Sequence, residues 1–337
     1  MKIGSWNSEK DILVIAEVGN NHEGNFDRAC DMVKAAAKAG AGAVKFQTII
    51  PEKLVSLSDR QRIEQLTKFQ FTQDQFRQLA DEAKKEGVLF LSTPFDIESA
   101  RFLEPLVPAF KIASSDNNFY PLIEVIAKTG KPILLSTGLA NLAQISETES
   151  FIDRIWRKEG IDQELAFLHC VASYPAPKEE ANLLAIRGLQ EEFGGVVGYS
   201  DHTLGIDAAV IAAALGARVI EKHFTLDRNL SDFRDHKIAA DPEELKTLVE
   251  KVKQTQILMG DGSLSPRKSE QEMILKLRRS IVAEHDLKEG TVVSAADLTW
   301  VRPGGGLPPG DEDQILGKTL AKNISKGQRI SVSDLRG

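Results

Sequence analysis

Eight short apolar runs, each stopping at polar residues, constrain this chain more than any other feature of its sequence. Six are residues 11–18, 43–47, 87–92, 109–113, 132–135 and 165–169, and the last two end in residues 196–203 and 218–225. Most are followed by a stretch whose apolar residues have helical spacing, as at 26–39, 73–85, 97–103, 121–128, 206–215 and 242–258. Continuous apolar strands joined through helices indicate a parallel sheet covered on both faces. Eight such alternations over roughly 260 residues predict a closed (β/α)8 barrel. An open doubly wound sheet is the rival. It would normally use a glycine-rich first turn opening a helix, a spacing that the loop at residues 19–24 lacks.

A barrel places its chemistry at the carboxyl edge of the strands. Glu17, Lys45, Gln47, Thr93, Lys111, Ser114, Ser136, Tyr174, Ser200, His202, Glu221 and His223 all fall at or just past strand ends. So many polar residues along one edge are hard to attribute to solvated loops. His202 and His223 end neighbouring strands in matching settings, beside Asp201 and Glu221, and two such imidazoles can hold a divalent ion of the Mn, Fe, Co or Zn type. Taken singly, either histidine reads as a hydrogen-bonded wall residue; the matched pair favours the metal. Lysine in a buried strand is costly unless its ammonium meets an anion. Lys45 and Lys111, with the hydroxyls of Thr93, Ser114 and Ser200, suit a small dianion such as a phosphate ester. Glu17, Asp116, Glu221 and Asp235 are the available proton carriers. A metal-polarised aldehyde beside a dianion suggests carbon–carbon bond formation. A Schiff-base aldolase using Lys111 as nucleophile is the competing reading.

With 337 residues, the chain suits a domain of about 250 residues plus a small one. A net charge of −7 argues against a nucleic-acid or anionic-membrane surface. No apolar run approaches the roughly 18 residues of a membrane span, and the first residues lack a signal-peptide core. Only Cys30 and Cys170 are present, both within apolar stretches, so a reduced cytoplasmic protein is expected. The domains expected are a barrel at 1–262, a linker at 263–279 and a small β domain at 280–337. The small domain holds an internal repeat: residues 286–298 recur as 323–335, with Gly290 over Gly327 and Ser294 over Ser331. Between the copies, the glycine- and proline-rich loop 301–309 carries Arg302, either in a plain connection or in a lid that offers a cation to an anion.

Ten motifs in order carry a family resemblance: AEVGNNHEG from Ala16, AVKFQ from Ala43, STPFD from Ser92, KIASSD from Lys111, LLSTG from Leu134, HCVASYPAP from His169, GYSDHT from Gly198, EKHFT from Glu221, DHK from Asp235 and RPGGG from Arg302. Over nearly its whole length the chain resembles the N-acetylneuraminate (sialic acid) synthase family. These are phosphoenolpyruvate-dependent enzymes with a barrel followed by a small domain similar to type III antifreeze proteins. The resemblance implies that Lys45, Thr93, Lys111, Ser114 and Ser200 hold phosphoenolpyruvate, and that His202 and His223 hold Mn2+, with Mg2+ or Co2+ as alternatives. It implies that Glu17, Gln47 and Tyr174 contact the aldehyde of an open-chain N-acylated hexosamine, and that Phe95 and Asp235 also bind substrate. It further implies a domain-swapped homodimer in which Arg302 reaches the sugar in the partner's barrel.

Three departures lie on the sugar or intermediate side. Ala172 stands where sialic acid synthases usually have asparagine, Asp116 where they have glutamate, and the segment 48–71 is shorter than usual. They point to a nonulosonic acid other than sialic acid, such as a pseudaminic or legionaminic type. Two alternatives accompany this reading. One is a related synthase making a shorter 3-deoxyulosonic acid, whose phosphorylated acceptor would require a third basic cluster near the sugar. The other is an inactive sugar-binding homologue.

Overall fold

A computed structural model describes residues 1–336, which fall into two compact units, one ending at Gly260 and the other beginning at Asp261. In the first unit, eight parallel strands form one sheet: β1 Leu13–Gly19, β2 Ala43–Thr48, β3 Leu89–Pro94, β4 Phe110–Ile112, β5 Ile133–Ser136, β6 Leu165–Cys170, β7 Val196–Asp201 and β8 Val219–His223. The ladder runs β3-β2-β1-β8-β7-β6-β5-β4, so the first strand pairs with the last and the sheet curls into a barrel. Among the described residues, only the seam between β3 and β4 lacks ladder pairing.

The period of two along each strand separates two cores. Leu13, Ile15, Ala43, Leu91, Ala109, Leu134, Ala166, Leu168, Val196 and Val219 pack together inside the barrel. The alternate residues, such as Val14, Ala16, Val44, Phe46, Ile112, Val197 and Ile220, pack outward against the helices. A two-stranded hairpin, Lys2–Ile3 with Trp6–Asn7, adds Ile3 and Trp6 to the inner cluster. The inward files therefore read apolar first and polar afterwards: Leu13, Ile15, Glu17 on β1; Ala43, Lys45, Gln47 on β2; Val219, Glu221, His223 on β8. The apolar half fills the barrel, which leaves the polar half gathered at the carboxyl edge.

Several helices carry local start signals. Asn25 and Asp241 cap Phe26–Lys38 and Pro242–Met259 with their side chains, and Thr72 forms a reciprocal capping box with Gln75 at the start of Gln73–Lys85. The segment 48–71 holds two helices that its sequence did not announce, Pro51–Leu54 and Arg60–Phe69.

In the second unit, β9 Ser280–Ala283 pairs antiparallel with β10 Leu298–Val301 around a core of Ile281, Leu287, Val293, Leu298, Ile315, Leu320, Ile324 and Ile330. The repeat is visible in three dimensions. Leu287 and its counterpart Ile324 exchange both backbone hydrogen bonds, at 2.8 and 2.9 Å. Ser294–Asp297 and Ser331–Asp334 form matching capping boxes, and Gly290 and Gly327 take matching left-handed turns at φ +84° and +75°. Residues 263–279 belong to this unit, and part of what reads as a linker is the helix Gln271–Leu277.

Candidate active site

At the carboxyl edge of the strands lies a cavity of about 430 Å3. It is lined by Glu17, Lys45, Gln47, Thr93, Phe95, Lys111, Ser114, Ser136, Tyr174, Ser200, His202, Glu221, His223 and Asp235. Thirteen of the fifteen expected site residues thus meet in one place, and Ser136 joins them; Asp116 does not, and Arg302 is expected only in a partner's barrel. Asp116 closes the turn Ser114–Asp116 and accepts a hydrogen bond from the Ser115 hydroxyl at 3.0 Å, and it is not among the lining residues. Arg302 belongs to the second unit, where it is exposed.

The floor of the cavity is a buried ionic cluster. Lys45 Nζ lies 2.8 Å from Glu17 Oε2 and 3.6 Å from Glu221 Oε2, and donates to Thr93 Oγ1 at 3.1 Å. Lys111 Nζ donates to Ser136 Oγ at 2.7 Å and to the Ile112 carbonyl at 3.0 Å, with Glu221 at 3.9 Å. Ser200 donates to Glu221 Oε1 at 3.0 Å. The two lysines diverge: burial lowers the proton affinity of both, but the Glu17 and Glu221 charges outweigh it at Lys45, which ends raised, whereas Lys111 ends lowered. The two acids diverge as well. Burial pushes both upward; Glu17, opposed by Lys45 and pushed further by Glu221, reaches about 6, while Lys111 and Lys45 together hold Glu221 below the usual carboxylate range. Two carboxyl groups driven apart in this way can divide into a proton carrier and a fixed charge.

Gln47 is held at both ends of its amide: it accepts from Asn20 Nδ2 at 2.9 Å and donates to Glu17 Oε1 at 3.0 Å. Asn20 lines the cavity too and was not expected there; the signal was its place just past the end of β1, the edge that supplied the others. Arg62 and Arg234 also line the cavity unannounced, Arg62 from the helix Arg60–Phe69 and Arg234 from the segment after β8. Asp59, which caps that helix by accepting from the Arg62 amide, was the available hint.

The rings of His202 and His223 sit 5.4 Å apart, with Tyr174 against His202 at 4.2 Å and edge-on to His223 at 5.9 Å. Burial raises the Tyr174 phenol and the Asp235 carboxyl. His202 Nδ1 lies 2.9 Å from the Val171 carbonyl. A carbonyl only accepts, so Nδ1 carries the proton and the lone pair is left on Nε2. Burial depresses His202, but the neighbouring Cys170 and that carbonyl reverse the shift; the same contact, with help from Lys111, lowers the Cys170 thiol against the upward push of its burial. His223 Nδ1 is buried with no hydrogen-bond partner, and burial with the charges of His202 and Lys45 keeps that ring neutral. The Nε2 that His202 presents opposite its tied Nδ1 and the orphaned buried Nδ1 of the neutral His223 ring fit a divalent ion, whose binding would displace any proton from His202 Nε2. Among the described residues, no set of three or more His, Cys, Asp or Glu side chains has metal-binding geometry, so protein would supply two ligands at this site.

The comparisons with known proteins agree with this fold. Residues 32–264 match the NeuB family and residues 278–336 the SAF domain. The N,N'-diacetyllegionaminic acid synthase of Campylobacter jejuni is 40% identical, across 95% of this chain and 99% of that protein. A pseudaminic acid synthase of the same species is 38% identical across the full length of both. The crystal structure of an N-acetylneuraminic acid (sialic acid) synthetase from Leptospira borgpetersenii, in complex with citrate, is 34% identical and superposes with a TM-score of 0.76, across 81% of this chain and 94% of that one. The family match covers most of the barrel, and relatives above 30% identity cover nearly the whole chain; this protein belongs to the NeuB family.

Proposed function

We propose that the protein is a nonulosonic acid synthase, which condenses phosphoenolpyruvate with the open-chain aldehyde of an N-acylhexosamine and water, releasing phosphate. The observation that carries this reading is the meeting of Lys45 and Lys111 with the His202–His223 pair in one closed-bottomed cavity. Phosphoenolpyruvate presents a phosphate and a carboxylate. Both lysines and the hydroxyls of Thr93, Ser114 and Ser200 can take them by charge-assisted hydrogen bonds. Lys111 arrives already oriented by Ser136 and the Ile112 carbonyl. That double tie favours an ionic clamp over a Schiff-base nucleophile.

Mn2+, or Mg2+ or Co2+ in its place, would be held by His202 and His223 and would polarise the aldehyde carbonyl when bound. Carbon 3 of the enol attacks the aldehyde carbon, forming the new bond while positive character develops at carbon 2. Water adds at carbon 2, and the tetrahedral intermediate then loses inorganic phosphate to leave a 2-keto acid. Glu17, with its carboxyl near 6, is the group best placed to move a proton at neutral pH, and Lys45 stabilises it once ionised. Gln47 and Tyr174 orient the sugar, with Phe95 and Asp235 bounding its pocket.

Arg302, in the glycine-rich loop of the second unit, would reach the sugar from the partner subunit of a homodimer. Among the described residues no helix is long and apolar enough to cross a membrane. A cytoplasmic location follows from the substrate, since phosphoenolpyruvate is made inside cells. The relatives are named for the synthesis of diacetyllegionaminic, pseudaminic and N-acetylneuraminic acids, which supports an N-acylated amino sugar as acceptor. Incubating the protein with phosphoenolpyruvate, Mn2+ and a panel of N-acylated hexosamines, with phosphate release and product mass as readouts, tests the proposal. Release of phosphate with a matching nine-carbon product is expected; no phosphate from any acceptor would sink it.

A further inference from the structure

Behind the two histidines, on the outer face of the sheet, lies a buried ion pair that the reaction as described does not use. Lys222 on β8 and Asp201 on β7 are register partners on adjacent strands, each 1% exposed, and neither lines the cavity. The period of two explains the placement: Glu221 and His223 face inward, so Lys222 between them faces out. Lys222 Nζ donates to Asp201 Oδ2 at 2.9 Å and to the Thr203 carbonyl at 2.5 Å. The other oxygen, Asp201 Oδ1, accepts from the Thr203 amide and hydroxyl, both at 2.8 Å, and from the Tyr199 hydroxyl at 3.2 Å. Both chain neighbours of His202 are therefore bound to the chain neighbour of His223. Asp201, which the sequence sets beside His202, serves this network and is not a third ligand. The His202 ring has a tie of its own, to the Val171 carbonyl, whereas His223 Nδ1 has no hydrogen-bond partner, so the place of that ring depends on its strand and its packing.

Resting on the metal assignment made above, we propose that Asp201 and Lys222 are positioning residues: they fix the separation of His202 and His223, whose rings stand 5.4 Å apart, and so preorganise the pair for a divalent ion. With only two protein ligands, any drift of one imidazole from the other weakens the site. Groups that orient metal ligands from behind are typically worth about 10–100-fold in affinity. The fold alone does not call for this pair. Taking two charges out of water offsets much of their attraction, and apolar side chains of similar volume often serve a buried position as well or better. The preceding rung of the same two strands follows that rule, since Ile220 opposite Tyr199 packs among the helices. Charge enters at the next rung, level with the histidines, where the two strand ends must be held in register.

The test measures Mn2+ binding to the full chain by equilibrium dialysis, with neither sugar nor phosphoenolpyruvate present, beside the melting temperature. Lys222→Met should lower Mn2+ affinity at least tenfold. It should also destabilise the protein, because Asp201 is left buried without its cation. Combining Lys222→Met with Asp201→Asn removes that unpaired charge, so the double variant should recover melting temperature while its Mn2+ affinity stays at least tenfold down. The visible absorption bands of bound Co2+ should be displaced in the same double variant, which reports the arrangement of the ligands directly. If Lys222→Met does not fold, the double variant alone decides. A loss of affinity smaller than tenfold in the double variant, or Co2+ bands that coincide with those of the unmodified protein, overturns the inference and leaves the pair as a support of the fold. Failure of the unmodified protein to bind Mn2+ overturns the metal assignment itself, and the inference with it.

Discussion

Lys45 Nζ stands 2.8 Å from Glu17 Oε2 on the adjacent strand, and the two side chains are 4% and 2% exposed. This buried pair joins the side of the cavity proposed for phosphoenolpyruvate to the side proposed for the acceptor, because Lys45 also reaches Thr93 while Glu17 holds Gln47.

Removing the cation should be costly. Lys45→Met would leave Glu17 and Glu221 facing each other in a buried site, and breaking such a cluster typically destabilises by about 3–5 kcal/mol. Thermal unfolding of the variant should show a drop of many degrees, partly recovered by adding Glu17→Gln. No recovery in the double variant would mean that the pair is not the source of the loss.

The pH dependence has a defined sign. The Glu17 carboxyl is raised from 4.5 to about 6 in the folded protein, so folding favours its protonated form. Its penalty is absent below the unfolded value and grows as pH rises through about 6, amounting to about 2 kcal/mol. Stability measured from pH 4 to 8 should therefore decline less over that window in Glu17→Gln than in the unmodified protein. Parallel profiles would count against the shift.

His202→Ala and His223→Ala should each reduce Mn2+ binding at least a hundredfold, measured by equilibrium dialysis, and abolish metal-stimulated phosphate release. Loss of either ligand leaves a single imidazole, too weak to retain the ion. Unchanged binding in either variant would refute the assignment.

Arg302→Ala should raise the KM for the sugar at least tenfold while that for phosphoenolpyruvate stays within about twofold, a split expected when one group of binding contacts is lost. Equal increases in both would remove Arg302 from the sugar side.

Gly198 tests the packing under the site. A Cβ there would meet the Val219 carbonyl at 2.6 Å and Leu168 Cγ at 2.9 Å. Gly198→Ala should cost about 1–3 kcal/mol through overpacking inside the barrel, and turnover should fall, since β7 carries Ser200 and leads into His202. An unshifted melting temperature would show that the strand can give way freely.

The sequence by itself determined the barrel, the edge that holds its chemistry and most of the cavity's inner lining. Strand periodicity and burial are local in origin: a run such as Leu13–Gly19 must hide both faces, and the switch from Ile15 to Glu17 marks where the apolar interior stops. The repeat in the second unit was equally legible, because its two copies use the same turn glycines and capping serines. Only the tertiary structure decided what depends on convergence in space. It turned Asp116 back onto Ser115, brought Asn20 to Gln47, and set Arg62 at the cavity mouth from a segment that read as a shortened loop. It also separated Glu17 from Glu221 in acidity, although both are glutamates in buried strands. That difference comes from how many lysine charges each one faces, and such a count exists only once the strands have closed into a ring.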